Sequence, residues 1–531
     1  AASAHITTSS ASRSTTAVAM SAASVALPPE SSWPAAPRAQ LVQPSAPPAK
    51  VLTSASMSQA LRTMQYAVRG SVVQRAEEIE RQLASGEGAA LPFDKIVFCN
   101  IGNPQAVGQK PITFFRQVLA LCDLPAESGV DHPSASLLFP PDAIARAREM
   151  RAAMGPGGTG AYSTTQGVSR FREDVASFIS RRDGHACEGR NVFLANGASA
   201  AIRMVLTATV SSADDAVLVP IPQYPIYSGL LSLLGAHQAG YMLDEAQNWA
   251  VTVECLQAAY DDARAAGKCP RACVIINPGN PTGNVLSRDV LETVIAFCVA
   301  HRLVLMADEV YQENVHEPGL SFVSARKVAI EMGERARALE LFSFHSTSKG
   351  LLGECGKRGG YMELHNIDPY VQSQIFKLAS SGLCAAVPGQ ALTSLMVRPP
   401  VEGEPSHELY ARETADIRQA LAERARLLVD GLRAIPGFSC NDASGAMYAF
   451  PAVELPPKAV EHARAQGLAP DEVYAVSLLE STGICVVPAS GFGQAAGRYG
   501  FRTTFLPSTD ELRRAVRHIA QHHEAFCQRY A

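Results

Sequence analysis

Ala272-Cys273-Val274-Ile275-Ile276-Asn277-Pro278-Gly279-Asn280-Pro281-Thr282-Gly283 passes from an apolar run straight into a Pro- and Gly-rich turn. The apolar run is short and does not alternate, so it predicts a strand buried on both faces. The same pattern recurs downstream. Leu303-Val304-Leu305-Met306 leads into Ala307-Asp308-Glu309-Val310-Tyr311, and Leu341-Phe342-Ser343-Phe344 leads into Ser346-Thr347-Ser348-Lys349-Gly350. Upstream, Asn191-Val192-Phe193-Leu194 precedes Gly197-Ala198-Ser199, and Ala216-Val217-Leu218-Val219 precedes Pro222-Gln223-Tyr224-Pro225. Helical patterns occupy Gly167 to Arg182, Gly197 to about Val210 and Tyr227 to Leu234. Strands alternating with helices predict an α/β fold, a mostly parallel sheet flanked by helices. Such sheets place ligands beyond the carboxyl ends of their strands, where the polar residues fall.

Outward from this centre the texture changes. Ser58 to Leu83 has roughly helical spacing broken at Gly70, Ile96-Val97-Phe98 reads as a strand, and Pro111 to Cys122 as a helix. After Pro399, Glu402-Gly403-Glu404-Pro405 reads as a connector. A charged helix follows from Ser406 to Ile435, then short strands at Ala446 to Pro451, Gly483 to Val487 and Phe501 to Phe505, and a closing helix from Thr509 to Tyr530. The expected division is a transit or low-complexity segment over 1–50 and an N-terminal arm contributing to the small domain over 51–160. A large sheet-bearing domain over 161–398, which holds the strand ends, and a smaller α+β domain over 399–531 complete it.

The chain has 531 residues, 47% hydrophobic and 18% charged, enough to bury a substantial core. A formal net charge of -4 gives no reason to expect nucleic acid or an anionic membrane as partner. No apolar run reaches the roughly 18 residues of a spanning helix. Twelve cysteines are scattered without a disulfide or zinc pattern. The first 50 residues are rich in Ala, Ser, Thr and Pro, with Glu30 the only acid, a composition like that of an organelle transit peptide. A mitochondrial address is expected, with a plastid one as the alternative.

The strand ends carry the chemistry. A lysine, a carboxylate, a phenol and an amide at Lys349, Asp308, Tyr311 and Asn280 are the groups that pyridoxal phosphate (PLP) requires. The lysine forms the Schiff base, the carboxylate holds the ring nitrogen protonated, and phenol and amide can bond the ring hydroxyl. Glu309, next to Asp308, would point to the other face of a continuing strand. Gly197-Ala198-Ser199 offers free N–H groups at a helix start for a phosphate, with Ser346, Ser348 and Arg358 able to add donors. Tyr224 can stack on a ring. Arg502 lies on an apolar strand, where a buried charge needs an acidic partner or a substrate carboxylate. Cys355 lies close behind Lys349.

These residues resemble the fold-type-I PLP enzymes of the class I/II aminotransferase group. The matching segments are Asn100-Ile101-Gly102-Asn103-Pro104, Tyr162 to Gly167, Asn196 to Ser199, Pro222 to Pro225 and Pro278 to Gly283. The run from His345 to Gly360 resembles the alanine branch. The resemblance implies Lys349 as the catalytic, cofactor-bearing lysine, with Asp308 on the ring nitrogen, Asn280 and Tyr311 on the ring hydroxyl, and Tyr224 stacked. It implies Ala198, Ser199, Ser346, Ser348 and Arg358 around the phosphate, Arg502 on the substrate α-carboxylate and Gly102 at the substrate mouth. Tyr162 would reach the phosphate of a neighbouring subunit, so a homodimer is expected. Arg358 departs from the common group pattern by one residue of spacing, and Lys357 occupies the shorter one.

The implied reaction is ping-pong transamination of L-alanine and 2-oxoglutarate to pyruvate and L-glutamate. Glutamate:glyoxylate transamination is the nearest alternative, and the ending Gln528-Arg529-Tyr530-Ala531 differs from a Ser-Lys-Leu peroxisomal signal. A PLP lyase and a non-catalytic regulator on the same fold are the others. No metal site is expected.

Overall fold

Both faces of the central strands are apolar because both are covered, and the pleat sends alternate residues to different cores. The computed structural model describes residues 50–64 and 70–531. The expected transit segment therefore falls almost wholly outside the described residues, as does part of the helix expected to break at Gly70. The chain divides into two units after Met57. Of the first, the described part is a turn closed by the Met57 N–H on the Thr53 carbonyl. All that follows concerns the second.

A first short strand, β1 (Val97–Phe98), pairs in parallel with Ile484–Cys485 near the other end of the chain. Seven strands build the main sheet: β2 (Val192–Leu194), β3 (Asp215–Ile221), β4 (His237–Met242), β5 (Cys269–Ile276), β6 (Val304–Asp308), β7 (Leu341–Ser346) and β8 (Gly360–His365). Their spatial order is β2-β8-β7-β6-β5-β3-β4, parallel throughout except that β8 runs against both neighbours. This is the expected α/β architecture. Two strands of this sheet escaped the sequence reading. β4 is an edge strand whose His, Gln and Gly interrupt the apolar run, and β8 carries Glu363 at a buried position.

Val217, Val219, Val274, Ile276, Met306, Phe342 and Phe344 face one core, shared with the helices Ala198–Thr209 and Ile226–Leu234. Ala216, Leu218, Cys273, Ile275, Leu305, Ala307 and Leu341 face another, covered by the helices Val253–Ala265, Arg288–His301 and Ala325–Glu331. Towards the C-terminus, Tyr448–Ala449, Phe501–Thr504 and Val487–Pro488 form a small antiparallel sheet. The expected strand at Gly483 to Val487 is two strands, because Ile484–Cys485 pairs with β1 and Val487–Pro488 with Phe501–Thr504. The helices His407–Arg433 and Thr509–Arg529 pack beside it. All twelve cysteines are free.

An ionic cluster is buried beside the end of β6 and the middles of β7 and β8. Arg326 pairs with Asp183 and Glu363, each at 3.2 Å, and Arg182 bonds Asp183 at 2.7 Å. Asp183 also accepts from the Ser324 hydroxyl at 2.8 Å. Burial pushes the Glu363 carboxyl up to about 7, against the pull of Arg326. Arg326→Ala should therefore cost about 3–5 kcal/mol, since it leaves buried carboxylates unpaired. A buried acid with a raised folded pKa loses stability as pH rises from its unfolded value towards its folded one. The variant's deficit in thermal melts is accordingly expected to be smaller at pH 5.5, where Glu363 is protonated, than at pH 8.

Candidate active site

Three strands deliver their polar ends to one cavity of about 270 Å³. Its lining includes Gly102, Ala198, Ser199, Tyr224, Asn280, Asp308, Tyr311, Ser346, Ser348, Lys349, Arg358 and Arg502. A larger cavity of about 730 Å³, lined by Gln223, Gln238, Glu472 and Ser490 among others, carries no lysine or arginine among the described residues. Its polar groups are amides, hydroxyls and the Glu472 carboxylate.

Lys349 Nζ donates to the Gly102 carbonyl at 2.5 Å and stands 5.9 Å from the Tyr311 ring centre. Asp308 ends β6 on the same face as Met306, by the period of the pleat. Its Oδ2 accepts from the Tyr227 hydroxyl at 3.0 Å, while Oδ1 is buried without a partner among the described residues. Burial pushes the carboxyl up to about 6, against the Tyr227 bond, the Val310 amide and the charge of Lys349. Glu309 faces away, accepting from the Ala325 N–H at 2.8 Å on the ionic-cluster side.

Asn280 Oδ1 accepts from Arg502 Nη1 at 3.1 Å. Arg502 is 1% exposed. Its Nη2 donates to the Asn100 carbonyl, and its Nε has no partner among the described residues. The guanidinium lies 4.2 Å over the Tyr448 ring and 4.9 Å over Phe492. No acid pairs with it among the described residues, so a buried cation faces a cavity in need of an anion.

At the far end, the helix Ala198–Thr209 starts from Gly197 with φ +78°, leaving its first N–H groups towards the cavity. Arg358 Nη1 donates to Ser348 Oγ at 3.3 Å, and Nη2 to the Asn196 carbonyl at 3.0 Å. Ser346 Oγ accepts from the Ser348 N–H at 3.1 Å. Arg358 lines the cavity and Lys357 does not. Helix start, hydroxyls and guanidinium form a cradle suited to a phosphate. With the open Asp308 oxygen at the other end, the set fits an aromatic N–H and a phosphate on one ligand.

Tyr162 is apart from this group, 78% exposed on the surface. Three cavity or supporting residues escaped the sequence reading. Tyr227 looked like the start of an apolar helix, and Tyr448 like one residue of a small strand. Phe492 sits in a turn. For the two tyrosines the only signal was a phenol in otherwise apolar surroundings; Phe492 gave none. Cys355 lines the cavity and its Sγ donates to the Ser348 carbonyl at 3.2 Å.

The model of the family Aminotransferase class I and II matches residues 131–519. Alanine aminotransferase 1 of Homo sapiens is 49% identical over 488 residues, covering 91% of this chain and 97% of that protein. A probable mitochondrial alanine aminotransferase of Dictyostelium discoideum is 48% identical over 485 residues, covering 91% and 90%. Among solved structures, an alanine aminotransferase from Pyrococcus furiosus superposes with a TM-score of 0.68 at 21% identity, covering 88% of this chain and all of that one. That likeness speaks to the fold.

A Cβ on Gly197 would stand 2.5 Å from Arg358 Nη2, and φ +78° strains any L side chain. Gly197→Ala is expected to destabilise the protein by about 1 kcal/mol or more. Inorganic phosphate is expected to raise the melting temperature of the unsubstituted protein, and the substitution should abolish that rise. Melts with and without phosphate check both.

Proposed function

This chain belongs to the class I and II aminotransferases, enzymes that use pyridoxal phosphate, and we propose that it exchanges the amino group between L-alanine and 2-oxoglutarate, giving pyruvate and L-glutamate. The observation that carries the reading is the near-half identity to alanine aminotransferases over nine-tenths of the chain, joined to a buried, acid-free Arg502 in the cavity of Lys349.

When bound, PLP supplies an electron sink for the pair released at the substrate's α-carbon. Lys349 would hold the cofactor covalently and then, freed by the incoming amine, take the α-proton and return it as general base and acid. Asp308 Oδ1 would accept the ring N–H and keep that nitrogen protonated; its buried, unpartnered state supports this. Asn280 and Tyr311 would bond the ring hydroxyl and Tyr224 would lie on the ring face. Ala198, Ser199, Ser346, Ser348 and Arg358 would hold the phosphate. Arg502 would orient the α-carboxylate, with Nε as the free donor, and Gly102 would border the substrate. One set of residues serves both half-reactions in turn, a ping-pong order.

A homodimer belongs to the same reading. Tyr162 is a large aromatic left 78% exposed, and it would reach the phosphate of the partner's cofactor. We also assign the sheet-bearing 161–398 to the large domain and 399–531, with the arm over 51–160, to the small one; the pairing of β1 with Ile484–Cys485 supports that grouping. A mitochondrial matrix location rests on the acid-poor residues 1–50 and on the name of the Dictyostelium relative.

A coupled assay tests the reaction. Pyruvate should form rapidly from L-alanine with 2-oxoglutarate, and a clear preference for glyoxylate as acceptor would replace this reading by the glyoxylate one. Lys349→Ala is expected to lose turnover by at least about 10³-fold and to lose the visible absorbance of lysine-bound PLP. Normal turnover without an added amine would refute the role of Lys349. Light scattering is expected to give twice the chain mass of 56.4 kDa.

A further inference from the structure

The cations lining the cavity are Lys349, Arg358 and Arg502. On the reading above, each already has a ligand: the cofactor's aldehyde carbon, its phosphate and the substrate α-carboxylate. A five-carbon dicarboxylic substrate brings one more carboxylate, and among the described residues no further arginine or lysine lines the cavity to receive it. The pocket must also accept alanine, which puts a methyl group there. A fixed arginine at that spot would be buried and unpaired whenever alanine is bound, a large cost. A neutral hydroxyl would lose far less.

We propose that the Tyr448 hydroxyl is this neutral donor: it binds the distal carboxylate of glutamate and 2-oxoglutarate and tolerates the methyl of alanine. The inference rests on the alanine and 2-oxoglutarate reading. Tyr448 is 2% exposed, and its ring is fixed beneath the Arg502 guanidinium at 4.2 Å. Its hydroxyl accepts from the Tyr311 hydroxyl at 3.2 Å, which leaves its own proton to donate. A Cβ built on Gly102 would lie 2.1 Å from that hydroxyl and 2.9 Å from Lys349 Nζ. The hydroxyl therefore stands on the reacting side of the cavity, next to the substrate mouth, and Gly102 lacks a side chain where one would fill the space between them. Lys349 and Arg502 outweigh burial and bring the Tyr448 phenol below its ordinary range, so the field at this hydroxyl favours an anion.

The test is Tyr448→Phe, which keeps the ring under Arg502 and removes only the hydroxyl. Each half-reaction is followed separately through the cofactor absorbance, with L-alanine or L-glutamate as donor. Glutarate, an unreactive dicarboxylate, serves as a competitive inhibitor. The expected result is a fall of about tenfold or more in kcat/KM for glutamate, mostly in KM, with alanine changed less than about threefold. Glutarate should weaken in parallel and the melting temperature should hold. An equal fall for both donors would place the hydroxyl on the α-carboxylate or the cofactor and overturn the proposal, as would no change for either. If the unsubstituted enzyme fails to react with alanine, the parent reading fails instead, and the two failures are told apart by that control.

Discussion

Two consecutive carboxylates at the end of β6, Asp308 and Glu309, are sent to opposite faces of the sheet by the pleat, and the site depends on that separation. Asp308 enters the cavity with one oxygen on Tyr227 and the other open. Glu309 goes to the ionic cluster, with the Ala325 amide and Arg182 as its surroundings. The same alternation divides β7, where Phe344 and Ser346 face the cavity side and Ser343 and His345 the cluster side. A register slip of one residue would exchange the two faces and lose both.

Behind the site, the cluster works as a clamp. Arg326 ties Asp183, at the end of one helix, to Glu363 on β8, and Arg182 adds a second hold. Burial pushes Glu309 and Glu363 each up to about 7, so these acids resist ionisation and need their arginines. Four polar atoms on β7 and β8, on Ser343, His345, Tyr361 and Glu363, remain unsatisfied in the same region. Such a site suits internal water, which usually bridges groups of this kind. The strand ends are thereby held from the side the substrate never meets.

In front, the charge balance points the other way. Among the described residues three cations and one acid line the cavity, and Arg502 is buried without an acid. An enzyme whose ligands carry a phosphate and carboxylates can tolerate that arrangement, because each ligand supplies the missing anion. Stability and function are opposed at Arg502: the unliganded protein bears a buried charge that binding relieves.

The α/β class and the strand-end residues could be read from the chain alone, because buried strands need uninterrupted apolar runs and the polar residues cluster just after them. Lys349, Asp308, Asn280 and Arg502 were legible for that reason, each a polar group in a place where a packed strand would not have one. The rest emerges only on folding. Tyr448 and Gly102 are far apart in the chain and meet only when the N-terminal and C-terminal segments fold over the sheet. Tyr227 reads as one more apolar residue until its hydroxyl is found on Asp308. The edge strand β4 and the antiparallel β8 lack a clean apolar signal, since an edge is half solvated and Glu363 is buried only by virtue of Arg326. Local periodicity records which faces are buried; it carries no information on which distant segments converge to bury them.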